Sequence, residues 1–507
     1  MALSSPNLSL RWAAIGAGYE RLFGDSEAAF YPASKSGLGD MFLHLAFRAP
    51  TDALLIERVT AAWAIIRRRH PLLMCKVIYD DAVGIPCFSF IPPTSVTDSV
   101  RDAETTLSFN NKSKDGVYFP LKSKACNEEL IHEYMNGPRA LSDDDLSHLV
   151  ISTSHLLPTT TNPPGYGDYN LFMCAPHFLG DGTSLHLATH DLLELLASSF
   201  TESQLKEELN QDVEWLEVLP PAFEARIDVP TAAFAKVVSK VDFIRTLSKE
   251  IGGHTLPRKQ HGPQKTVVHE TAFSEEETAQ ILRKCKINNV TVNHAIVALC
   301  NVAWARNISN RKLMENPLMM YTAVSLRPYL ATLHTTSTYW FVALTYFNLV
   351  LPAFLPETQN VFWHRARTVK SQIRNMVQSS FLKSRALEMG KIRVARSRGQ
   401  TVQLPDLSQV MAPTPISPLP PGPSAALLGL SLIGNLDATY IRASYPSFHL
   451  QSVTTASRQK AGGLLLLEHT FANKLWLHLC WDENGFEEGK IESFWSSMQD
   501  AVREFLM

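Results

Sequence analysis

Apolar residues recur at helical spacing in "DALLIERVTAAWAIIRRR" (52–69), where Leu54, Val59, Ala62 and Ile66 share one face. Asp52 is placed to cap this helix, and His70-Pro71 to end it. The next run, "LLMCKVIY", predicts a strand. A second short apolar strand is predicted over "YNLFMCAPH" (169–177), followed by a turn at Gly180-Asp181-Gly182. Beyond it "TSLHLATHDLLELLASSF" (183–200) puts Leu185, Ala188, Leu192 and Leu196 inward on a helix. Polar, proline-bearing segments around 216–232 and 253–265 read as a long linker.

The second half repeats this mixture. Strand "TVVHETAFS" (266–274) leads into helix "EEETAQILRKCK". A turn and helix follow over 288–307, with Thr291 as the expected cap. "NPLMMYTAVSLRP" predicts a strand entering a loop. The aromatic, β-branched run 339–356 predicts a buried strand that stops at Pro352. Six prolines exclude regular structure from 412–423. Two strands joined at Asn473 fill 462–485, and an amphipathic helix closes the chain. Strands and helices are mixed in both halves, which predicts two α+β lobes rather than alternating βαβ units. The expected division is 1–215 for the first lobe, 216–265 for the linker and 266–507 for the second lobe.

With 507 residues, 45% of them hydrophobic and 19% charged, the chain can build large cores. Its formal charge of -2 gives no global field to recruit nucleic acid or an anionic membrane. No basic segment followed by an apolar one opens the sequence, so no secretory leader is expected. Seven scattered cysteines, none in a CxxC pair, fit reduced thiols in a cytoplasmic protein.

Chemistry concentrates in "CAPHFLGDGTSLHLATHDLLELL" (174–196). A strand ending in His177, then a glycine turn, then a helix presents that imidazole at a loop mouth between rigid elements. Neutral imidazole is the usual base toward a hydroxyl near neutral pH. Gly180 and Gly182 would permit torsions closed to other residues. Asp181 could bind the turn's backbone amides, cap the helix or pair with a distant arginine.

The segment "HFLGDG" resembles the HxxxDG motif of the CoA-dependent acyltransferase superfamily, which spans BAHD enzymes, chloramphenicol acetyltransferase and peptide-synthetase condensation domains. "RRRHPLLMCKV", "VTVNHAIVALCNVAW", "SLRPYL", "YFNLVLP", "GNLD" and the stretch 456–486 extend the resemblance over nearly the whole chain. The last two look most like fungal trichothecene 15-O-acetyltransferases. The plant-type DFGWG motif is absent, and Pro176 stands where many condensation domains carry a first histidine.

This resemblance implies two chloramphenicol-acetyltransferase-like lobes meeting at a tunnel. It implies His177 as general base in direct acyl transfer, from acetyl-CoA or another acyl-CoA as co-substrate, to a hydroxyl of a fungal secondary metabolite. It implies a structural role for Asp181 paired with Arg327, with Gly182 beside them. Substrate or CoA contacts are expected at Thr291, Ser325, Asn348, Ser457 and Arg458. No permanently bound cofactor and a monomeric state are expected. The alternatives are a condensation-type enzyme fed by a carrier protein, and a relative that binds or cyclises without acylation.

Two other groupings compete for attention. His186 and His190 lie one helical turn apart, with Glu194 a turn further, a spacing that could ligate zinc. Leu187 stands where the zincin signature needs glutamate, so no metal is expected. Residues 365–398 hold ten Lys or Arg against one acid, Glu388. A CoA phosphate would suit such a patch, but a solvated basic helix face is the expected reading. Without interleaved aromatics it does not read as a nucleic-acid surface.

Overall fold

The computed structural model describes residues 9–80, 84–109, 127–153, 165–247, 250–308, 310–330, 337–353, 357–400 and 425–507. The proline-rich segment 412–423 and Cys126 lie outside the described residues. Two large mixed layers carry the fold. The first sheet has five strands, in the order His449–Ser457, Asp40–Pro50, Tyr166–Pro176, His148–Thr153, Leu107–Phe109. The second has six, in the order Leu344–Pro352, Pro317–Ser325, Gly429–Asn435, Leu464–Phe471, Lys474–Asp482, Thr266–Ala272. A four-stranded sheet, Ala13–Ile15, Gly18–Leu22, Ile85–Phe90 and Lys76–Asp80, flanks the first.

Alternation along the strand Asp40–Pro50 explains the layering. Met41, Leu43, Leu45 and Phe47 enter one core with Val59, Ala62, Trp63 and Ile66 of the helix Ile56–Arg69. Phe42 points the other way, into a cluster with Tyr134, Phe172, Cys174, Ala456, Leu467 and Cys480 that joins the two sheets. Both faces of this strand are therefore covered, and its sequence reads as a nearly continuous apolar run. The second core packs the helices Val292–Asn307 and Lys490–Leu506 on the six-stranded sheet.

Several expectations need correction. Asp52 sits in a 3₁₀ turn, Thr51–Leu54, and does not cap the helix that starts at Ile56. The segment after His70 opens as another 3₁₀ turn, Pro71–Met74, and pairs only from Lys76 onward. Proline there fixes the torsion and removes a ladder donor. The segment 216–265 is not an open tether. It contains the helix Ala233–Leu247, whose Phe243 and Leu247 pack with Ile392 of the helix Leu382–Ser397. Arg385 clamps Asp242 of the same helix at 2.6 and 2.8 Å.

The division at 266 also fails to match the sheets. The strand His449–Ser457 comes from the second half but pairs antiparallel with Asp40–Pro50 in the first sheet, from Leu450↔Phe47 to Ser457↔Met41. The six cysteines among the described residues are free and buried. Among these residues, no helix is long and apolar enough to cross a membrane.

Candidate active site

The strand Tyr166–Pro176 stops at a proline, and His177 is the next residue. The neighbouring strand holds that end in place: Pro176 sits opposite Asp40, which Arg139 clamps at 2.5 and 2.9 Å. The chain then turns into the helix Gly182–Ala197. Within the turn the His177 Nδ1 lies 3.0 Å from the Gly180 carbonyl. A carbonyl only accepts, so Nδ1 carries the proton and Nε2 keeps its lone pair. Burial pulls the imidazole below its ordinary pKa, opposed by the turn's backbone oxygens, and it is neutral near pH 7. His177 is half-buried. Phe30 covers one of its faces, ring to ring at 4.2 Å and 13°.

Asp181 does not touch the imidazole. It caps the helix by accepting from the Ser184 amide at 3.2 Å, and it accepts from the Ala343 amide at 3.2 Å. Arg327 Nη2 donates to the same carboxylate at 2.8 Å. Asp181 is 5% exposed, so this cation answers a charge that burial would otherwise make costly. Arg327 also donates to the carbonyls of Tyr339 and Phe341, at 2.8 and 2.9 Å. The pair therefore ties the turn of the first lobe to the loop 339–343 of the second.

The two glycines differ from expectation. Neither has a positive φ. Gly180 is demanded by crowding, since a Cβ there would come within 2.9 Å of Trp340 Nε1. Gly182 has open space where a side chain would stand, so neither torsion nor packing requires it.

Of the other expected residues, Ser457 ends the crossing strand on the same edge of the sheet as His177, two strands from Ala175. Arg458 turns away into scaffold, donating to the carbonyls of Tyr134 and Gly137. Ser325 is exposed and its Oγ accepts from the Arg327 amide at 3.4 Å. Asn348 faces the helices Ala233–Leu247 and Leu382–Ser397, beside a cavity of about 40 Å³. Thr291 is the N-terminal residue expected for its helix, with His294 Nδ1 3.0 Å from its amide. It lines a separate groove of about 960 Å³ whose wall includes Glu468 and Lys370.

The zinc grouping comes together only in part, with His190 Nε2 3.5 Å from Glu194 and His186 apart from them. Burial pulls His186 down to about 3, and its Nδ1 meets the Tyr440 hydroxyl at 3.0 Å. His190 meets Tyr445 at 3.2 Å. The groups that converge are His190, Asp191 and Glu194, with Asp191 accepting from the Tyr339 hydroxyl at 2.5 Å. The basic segment is no single patch either. Arg385, Lys391 and Arg396 pair with Asp242, Glu388 and Glu250, and Arg365 reaches the Asn301 side chain.

Two residues at the site carry no motif: Phe30 on His177 and Arg393. Arg393 lies over both Phe30 and Tyr346, each at 4.4 Å.

No family model matches the chain. It is similar to the trichothecene O-acetyltransferase TRI3 of Trichoderma arundinaceum, 19% identical over 285 residues. That match spans 54% of this chain and 53% of the relative, about half the length of each. In three dimensions it is similar to the TRI3 trichothecene 15-O-acetyltransferase from Fusarium sporotrichioides, with a TM-score of 0.73 at 14% identity, covering 98% of this chain and 96% of that one. It is also similar to the condensation domain of the monacolin K polyketide synthase MokA, with a TM-score of 0.59 at 12% identity over 98% of both chains. The chain has the two-lobed fold common to these acetyltransferases and condensation domains, and it resembles the trichothecene acetyltransferases.

Proposed function

We propose that this protein is an acyl-CoA-dependent O-acyltransferase, using acetyl-CoA or another acyl-CoA to esterify a hydroxyl of a fungal-type secondary metabolite. The observation that carries the reading is the state of His177: Nδ1 tied to a carbonyl, Nε2 left with its lone pair, the ring neutral and half-buried. Nε2 would take the proton of the acceptor hydroxyl. The oxygen attacks the thioester carbonyl, a C–O bond forms and the C–S bond breaks. The imidazolium then returns its proton to the departing thiolate, and no acyl-enzyme is needed. Asp181 and Arg327 fix the turn and take no proton. On this reading no permanently bound cofactor is required, and the working unit is a monomer in the cytoplasm.

The test is thiol release from acetyl-CoA with a panel of terpenoid, polyketide and alkaloid alcohols, with products identified by mass spectrometry. Esterification that disappears in His177→Ala supports the reading. Failure with free acyl-CoA, together with acylation from a loaded carrier protein, would replace it by the condensation-type alternative.

A further inference from the structure

Beside His177 stands a column of rings drawn from both lobes. The imidazole covers one face of Phe30. The Arg393 guanidinium carbon lies 4.4 Å from the Phe30 centroid, and with one face taken it occupies the other. It is also 4.4 Å from Tyr346, which meets Tyr321 edge-on at 5.8 Å. A guanidinium held between two rings keeps its N–H donors around its edge, free for a planar oxyanion.

Those donors are unused among the described residues. Three other arginines differ: on the same helix Arg385 binds Asp242 and Arg396 binds Glu250, and just beyond it Arg398 donates to the Gly84 carbonyl. Among the described residues Arg393 contacts the rings of Phe30 and Tyr346 and makes no hydrogen bond or ion pair. Cation–π attraction holds it there without a counter-charge. Asp181, four residues along the turn from His177, is already committed to Arg327. The phosphates of CoA do not answer this charge, because the whole pantetheine arm separates them from the thioester, whereas Arg393 is two ring spacings from His177.

We propose that Arg393 forms a carboxylate subsite beside His177, so that one of the two substrates carries a carboxylate a few carbon atoms from its reacting group. This rests on the acyl-transfer reading of His177 and adds a substrate class to it. The carboxylate can belong to a dicarboxylic acyl donor or to a hydroxy-acid acceptor.

Calorimetric binding separates the two sources and needs no turnover. The donor arm compares succinyl-CoA with butyryl-CoA; the acceptor arm compares mandelate with methyl mandelate. In one arm the carboxylate ligand should bind at least tenfold more tightly. Arg393→Gln should remove that preference, weakening the anion roughly tenfold to a hundredfold, as loss of a charged hydrogen bond does. The neutral ligand should change by less than about threefold, and Arg393→Lys should fall between. No carboxylate preference in either arm would overturn the proposal, as would equal weakening of neutral and anionic ligands by Arg393→Gln. Thiol release that persists in His177→Ala would instead sink the acyl-transfer reading while leaving the binding result legible.

Discussion

Replacing Asp181 by alanine tests the claim that this carboxylate is scaffold. The side chain is 5% exposed and accepts from Arg327, Ser184 and Ala343. Removing one partner of a buried ion pair costs about 3–5 kcal/mol. Arg327 would not be stranded completely, because the Tyr339 and Phe341 carbonyls and Ser184 Oγ still accept from it. The expected loss is therefore near the lower end, about 3 kcal/mol, with about 1 kcal/mol of it from the lost cap. Asp181→Asn separates these parts. Asparagine caps as well as aspartate, so the cap survives and the charge goes, costing about 1–2 kcal/mol. Denaturant midpoints and melting temperatures should follow the order wild type, Asn, Ala. Adding Arg327→Met to Asp181→Ala should cost less than it does alone, with non-additivity of about 0.5–3 kcal/mol. Unchanged stability in Asp181→Ala, or strict additivity in the double variant, would refute the argument. A fall in turnover with stability intact would make Asp181 part of the proton chemistry.

His177→Ala should lower turnover roughly 10²–10⁴-fold and leave melting nearly unchanged, since its polar tie is one turn carbonyl. Glu468 is fully buried, and burial pushes its carboxyl up to about 8. Between about pH 4.5 and pH 8 the folded chain therefore holds one proton more than the unfolded chain at this group. Stability should fall as pH rises through that window, by up to about 1.4 kcal/mol per unit, and Glu468→Gln should flatten the slope. Parallel slopes for the two proteins, read from urea midpoints near pH 5 and pH 8, would contradict this. Freshly purified protein should contain no stoichiometric zinc in elemental analysis, because tyrosines hold His186, His190 and Asp191; zinc at one equivalent would reverse that assignment.

What could be read beforehand was what is local. The strand, turn and helix around His177 span some thirty residues, and their periodicities and glycines signal them directly. The Asp181–Arg327 pair joins residues 146 apart, and no pattern of residues announces such a contact; it came with the family resemblance. Arg458 looked available because a lone arginine in a polar stretch gives no hint that it will be spent on backbone carbonyls. The helix Ala233–Leu247 escaped notice for a different reason. Its inward side is narrow, with Phe243 and Leu247 against one other helix, while Phe234, Val237 and Val241 are exposed. Apolar residues on both sides blur the stripe that marks an amphipathic helix. Phe30 and Arg393 were illegible because stacking on an imidazole leaves no trace in spacing.

The crossing strand also sets the order of events during synthesis. The strand Asp40–Pro50 emerges early, yet one of its two neighbours, His449–Ser457, is made about 400 residues later. At roughly 5–20 residues per second this edge waits for tens of seconds without its partner. An unpaired apolar edge is a template for pairing with another chain. The first lobe should thus be aggregation-prone until residue 457 leaves the ribosome, and a fragment ending near 265 should be insoluble for want of a strand it does not encode.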